Sequence, residues 1–169
     1  MIDHRKFSIF VVCVLSFVLI AQSATAQNMR VVRVHSGSSF DVQRADGRGP
    51  IKTVHLWGVE APLRGQQYWQ ESRDYTARML RRPFRMVEVA QLHGVPQVMV
   101  QAQDDRGRFY NFNHRLLTDG KVWWNRFRYE LERDLEALEQ DARLNRRGLW
   151  RAEAPIAPWQ WREGQRPQR

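Results

Sequence analysis

The chain has 169 residues, a formal net charge of +9 at pH 7 and an apolar fraction of 43%. That length fits one domain, two at most, and the apolar fraction excludes wholesale disorder. No second long apolar stretch follows the first 26 residues, which excludes a multi-span membrane protein.

The N-terminus has the order of a secretory signal: Arg5-Lys6, an apolar run over Phe7–Ile20, then Ala24-Thr25-Ala26. Cleavage is expected between Ala26 and Gln27, with residues 1–26 as leader and 27–163 as the folded domain. The alternative is an uncleaved anchor, but the run is short for a membrane span. The expected protein is exported, to the periplasm or the medium, and is not integral to a membrane once the leader is cut. Cleavage would remove Arg5, Lys6 and Asp3, leaving a net charge of +8. It would also remove Cys13, the single cysteine, and with it any thiol, disulfide or cysteine metal site. Stability would then rest on the core, which a domain of this size can supply.

Val32, Val34, Phe40 and Val42 alternate along residues 27–42, predicting one strand interrupted at His35-Ser36-Gly37-Ser38 by a bulge or tight bend. Asp46-Gly47 lies in a hairpin turn over 44–50. A returning strand follows over 51–59, with Thr53, His55 and Trp57 on one face and Val54 and Leu56 on the other. Residues 66–80 lack Gly and Pro and carry helical spacing, stopped by Pro83. Strands are expected over 84–90 and 95–103, joined at His93-Gly94, with a turn at Asp104–Gly107. A short helix over 111–117 ends at Asp119-Gly120, and a short strand covers 122–124. Leu131, Leu135, Leu138 and Ala142 predict a last helix, with Gly148 as its stop. Residues 164–169 read as a disordered tail. There is no internal repeat or inter-domain linker. The fold class is mainly β with helices (α+β): about five strands in a small barrel.

Six segments in this order carry a family resemblance. They are Val34-His35-Ser36-Gly37-Ser38-Ser39-Phe40, Val54 to Pro62 (VHLWGVEAP), Gln66 to Glu71 (QQYWQE), Asp104 to Arg108 (DDRGR), Leu116 to Gly120 (LLTDG), and Ala142-Arg143 running into Gly148-Leu149-Trp150. Together they resemble the staphylococcal nuclease (thermonuclease) family over roughly residues 30–162. The resemblance implies a five-stranded OB-fold barrel with about three helices. It also implies metal-assisted attack of water on a phosphodiester, with two aspartates on calcium, a glutamate acting on the water and two arginines on the phosphate.

Most positions that would carry that chemistry differ here. The family's Asp-Gly-Asp-Thr reads Ser36-Gly37-Ser38-Ser39, so Ser38 stands at a metal aspartate. In the second motif His55 stands at the first arginine, Glu60 at the other metal aspartate and Leu63 at the catalytic glutamate; only Arg108 matches. Calcium takes about six to eight oxygen ligands and favours carboxylates. Glu60 with a neutral Ser38 hydroxyl therefore makes a weakened calcium site. Leu63 cannot activate water, forgoing general-base help of about 10²–10⁴ in rate. Asp41 lies three positions from Ser38 on a strand, so it is expected on the opposite face. A local shift in alignment would bring Asp41 or Asp46 towards the site instead.

Fewer carboxylates make the pocket less negative, so Arg108, Arg64 and a protonated His55 would favour an anion. Arg108 reads either as a phosphate clamp or as a turn residue paired with Asp104. His55 reads as a base, a phosphate donor or an ordinary strand histidine; Glu60 reads as a metal ligand or a partner for a nearby arginine. Trp57 or Trp69 is expected near the cleft, with Trp150, Trp159 and Trp161 tying down the C-terminal segment. The densest arginine clusters are Arg81-Arg82, Arg126/Arg128 and Arg146-Arg147.

Three readings follow. The first is an exported, catalytically impaired monomer that binds single-stranded DNA, RNA or another polyanion. The second is an active nuclease using a modified metal site, or His35 and His55 on RNA. The third is an envelope protein-interaction module.

Overall fold

The computed structural model describes residues 28–164. The expected leader and the tail beyond Gly164 lie outside the described residues. Among the described residues no helix is long and apolar enough to cross a membrane.

The chain enters in β1 (Asn28–Ser36) and reverses at Gly37-Ser38 into β2 (Ser39–Arg44). The single interrupted strand predicted there is thus two antiparallel strands, with Val34 opposite Phe40 and Val31 opposite Val42. The apolar alternation runs unbroken through the reversal because both strands face one core. Gly37 is required at this turn: a Cβ there would overlap the Ser72 hydroxyl.

β3 (Lys52–Leu56) pairs antiparallel with β2. It stops earlier than the sequence predicts. Gly58, at φ 82°, turns the chain into β4 (Val59–Glu60). α1 (Trp69–Met79) begins late because Tyr68, at φ 66°, is left-handed and cannot continue a helix. β5 (Phe84–Leu92) and β6 (Val95–Gln103) form the expected hairpin. His93 and Gly94 both have positive φ, as a tight two-residue turn demands. An unpredicted strand, β7 (Phe109–Asn111), pairs with β6.

α2 (Phe112–Thr118) is capped by Asn111, whose side chain accepts the His114 N–H at 3.1 Å. β8 (Trp123–Trp124) pairs with β4. α3 (Arg133–Leu144) follows, then a 3₁₀ turn (Gly148–Arg151) and α4 (Pro158–Arg162). Leu131 precedes α3 and is 81% exposed, so it is not part of the predicted apolar stripe. Gly148 does not stop α3. It opens the 3₁₀ turn and packs so tightly on the Gly120 backbone that a Cβ at either glycine would clash.

The order β3-β2-β1-β5-β6 closes through a short parallel pairing of β3 with β6, giving a five-stranded ring with β7 added at the edge of β6. The fold is α+β, a ring of the OB type with three principal helices and the short α4. Phe40, Val42, Val54, Leu56, Phe84, Val98 and Val100 fill the ring, with Phe40 and Phe84 edge to face at 6.2 Å. Burying one such side chain stabilises by about 1.5–3 kcal/mol. Phe112, Leu116 and Leu117 of α2 join the same core. A second cluster sets Trp123 against Trp150 at 5.7 Å, anchoring the C-terminal segment.

Candidate functional site

Where β3 meets β6, His55 lies opposite Gln97 and Leu56 opposite Val98. A cleft of about 300 Å³ opens beside this seam. Ser38, His55 and Gln97 contribute from the ring, and Glu60, Ala61 and Leu63 from β4 and the loop after it. Asn125, Arg128 and Tyr129 come from the loop after β8, and Arg162 from α4.

The structure therefore gathers His55, Glu60, Ser38 and Leu63 at one cleft. Arg108, Arg64 and Trp57 lie outside it. Arg108 is 72% exposed and turns back on Asp104, with Nε 2.9 Å from Oδ2. Asp104 also accepts the backbone N–H groups of Arg106 and Arg108. Those contacts, the Arg108 backbone first, hold its carboxyl below the ordinary range. This is the turn-residue alternative for Arg108. Arg64 is exposed and has neither hydrogen bond nor ion pair among the described residues. Trp57 is half-buried with its ring 4.9 Å from Tyr129, so it supports a cleft wall from behind. Trp69 opens α1, with the Arg73 guanidinium over its ring at 6.0 Å.

The donor set does not fit calcium. Ser38 is buried and its Oγ accepts the Ala61 N–H at 3.1 Å, so the hydroxyl ties two loops together. Glu60 is engaged at both oxygens: Oε1 accepts from the Arg162 guanidinium and Oε2 from Asn125 Nδ2 at 3.3 Å. Leu63 offers no ligand. Among the described residues no three or more His, Asp, Glu or Cys side chains are placed to hold a metal. Asp41 does not substitute, since it accepts from Thr53 Oγ1 at 2.7 Å and meets His35 Nε2 at 2.8 Å. These bonds, the histidine's first, lower its pKa. Asp46 is held within its own turn by Arg44 and the Arg48 N–H.

His55 is the titratable group best matched to neutral pH at the cleft. Desolvation lowers its pKa most, Glu60 pulls it upward and the nearby His35 pushes it down. His35 is turned onto Asp41 and does not line the cleft. The arrangement supplies one neutral imidazole, an arginine without a carboxylate partner among the described residues (Arg128) and a carboxylate already neutralised by Arg162.

Asn125, Tyr129 and Arg162 are cleft residues that the sequence alone does not point to. Arg128 was visible only as part of a charge cluster. Arg162 lies 102 residues from Glu60, beyond any local pattern. The one available signal is Pro158, a helix-starting proline ahead of Trp-Gln-Trp-Arg.

A profile of the family described as "Staphylococcal nuclease homologue" matches residues 53–152. An uncharacterized endonuclease of Escherichia coli is 29% identical over 133 residues, covering 79% of this chain and 83% of that protein. Protein ParB of Escherichia coli is 27% identical over 156 residues, covering 88% and 86%. A micrococcal nuclease of Shigella flexneri is 28% identical over 140 residues, covering 78% of each. The family match takes in Glu60, the turn that holds Arg108 and the loop that supplies Asn125 and Arg128. The chain belongs to the staphylococcal nuclease homologue family.

Proposed function

We propose that this chain is an exported, nuclease-family protein whose cleft binds single-stranded nucleic acid without metal-assisted cleavage. The contact between Arg162 and Glu60 carries the reading. A fixed guanidinium of the chain itself stands on the carboxylate that would otherwise face a cation. The charge a metal would bring is supplied by α4, and the metal's Lewis acidity is not. Arg128 has no carboxylate partner among the described residues, so its charge remains free for phosphate. Tyr129, backed by Trp57, gives an aromatic wall beside it. The leader-like residues 1–26 support action outside the cytoplasm.

The test is incubation of the protein with labelled single-stranded DNA and RNA, in calcium and in excess chelator. Retention of intact strands that weakens steeply with salt is the expected result. Calcium-dependent cleavage overturns the reading. RNA cleavage unaffected by chelator overturns it in favour of His55 acting with His35.

A further inference from the structure

The cleft does not end at Glu60. A second hollow of about 480 Å³ shares Glu60, Asn125, Arg128 and Arg162 with it and adds Phe127 and Trp159. A third, of about 360 Å³, shares Trp159 with the second and reaches between α3, the 3₁₀ turn and α4. The first two are continuous through those four shared residues, and the third adjoins them at Trp159.

Aromatic and cationic groups alternate along these hollows. Phe127 is 68% exposed and meets Trp159 edge to face at 5.3 Å. The Arg126 guanidinium lies over both rings, at 5.2 and 5.9 Å. At the far end Arg143 covers Trp150 at 4.1 Å. Arg126 and Arg128 make no ion pair among the described residues, although the charge of Arg126 reaches Glu139. The acids of the far pocket are Glu139, bound by Arg143 and the Trp124 N–H, and Glu153, which has no partner among the described residues. Burial pushes the Glu139 carboxyl up, and Arg143 pulls it back. Phe127, edge to face with Trp159 and covered by a guanidinium that makes no ion pair, presents an exposed ring beside a positive charge. It suits a ligand with flat faces and regularly spaced negative charge, the description of a single polynucleotide strand. α4, which supplies Trp159 and Arg162, lies beyond residues 53–152, the segment that the family profile matches.

We propose that α4 extends the cleft into a second subsite, Arg126–Phe127–Trp159, which stacks and charge-pairs the nucleotides adjoining the one held at His55 and Arg128. This rests on the nucleic-acid reading above. Oligothymidylates of two and eight nucleotides separate the two sites by length, read by fluorescence anisotropy of a 5′ label. Arg126→Glu and Phe127→Ala alter exposed side chains and leave the core intact, which circular dichroism verifies. Each should weaken the eight-nucleotide strand about tenfold and leave the two-nucleotide strand unchanged. Glu153→Gln should tighten the longer strand only. Equal losses for both lengths, or no loss for either, overturn the second subsite while the cleft reading stands. If the unaltered protein binds neither length, both fall. Equal binding of heparin and the longer strand overturns the strand assignment in favour of unspecific polyanion binding.

Discussion

The Arg162 guanidinium at the end of α4 donates to Glu60 Oε1 at the end of β4, joining the last described helix to the cleft. The pair fixes the sign of the local charge. Glu60→Gln removes a negative charge and releases Arg162 towards an incoming phosphate. Affinity for a 5′-phosphorylated dinucleotide should rise about threefold, the scale of one charge several ångströms away in a partly solvated site. Arg162→Ala should lower it by at least as much, because it also unmasks Glu60. Titration calorimetry at fixed ionic strength reads both; changes of the same sign would contradict the pairing.

Restoring the family's acids should not by itself restore calcium binding. Ser38→Asp places a carboxylate where the Ala61 N–H now meets a buried hydroxyl, and Leu63→Glu adds a second. Arg162 would still occupy Glu60. The double variant is expected to bind calcium no better than the unaltered chain, and addition of Arg162→Ala to bring measurable binding. Calorimetric calcium titration of the two variants distinguishes them.

The His55 imidazole is disfavoured as a cation, so it is neutral at pH 7 and charges only below its ordinary value of 6.5. Anion affinity should therefore increase as pH falls from 7 towards 5. His55→Ala should flatten that increase and leave the affinity at pH 8 nearly unchanged. The linked stability effect has the opposite direction. With its folded pKa depressed, His55 leaves stability undiminished above the unfolded value of 6.5 and costs stability as pH falls from there through its lower folded value. Denaturant midpoints at pH 5 and 8 check it.

Tyr110 carries a buried hydroxyl with no hydrogen-bond partner among the described residues. Burial raises its pKa, as expected where nothing solvates the phenolate. Removing an unsatisfied group relieves its desolvation, so Tyr110→Phe should fall within about 0.5 kcal/mol of the unaltered protein or above it. Tyr75 is the contrast. Its hydroxyl donates to Asp119 at 2.5 Å, and Tyr75→Phe should cost about 1 kcal/mol. Urea unfolding compares the two.

Local chemistry made much of the fold legible. Asp46-Gly47, His93-Gly94 and Asp119-Gly120 mark turns by backbone demands that do not depend on the rest of the chain. The break at His35–Ser38 was legible as a bulge or tight bend, but not that it reverses the chain into a second strand, because what its glycine meets, the Ser72 hydroxyl, is 35 residues away. The floor of the site was legible through the positions of Ser38, His55, Glu60 and Leu63. Its far wall was not. Asn125, Tyr129 and Arg162 reach the cleft through the packing of Trp123 on Trp150 and the docking of α4, which no periodicity encodes. Arg108 shows the reverse: a matching residue whose side chain is claimed by Asp104 four positions back.

The ring is closed between β3 and β6 by only a short parallel pairing at His55 and Leu56, continued by the Trp57 N–H on the Val98 carbonyl at 2.9 Å. The cleft straddles that join, with His55 on one side and Gln97 on the other. Whatever lies across it acts as a clasp on the barrel's weakest hoop. Occupancy should be felt as slower amide exchange at Trp57, and any breathing of the hoop would open the grip on the ligand in the same motion.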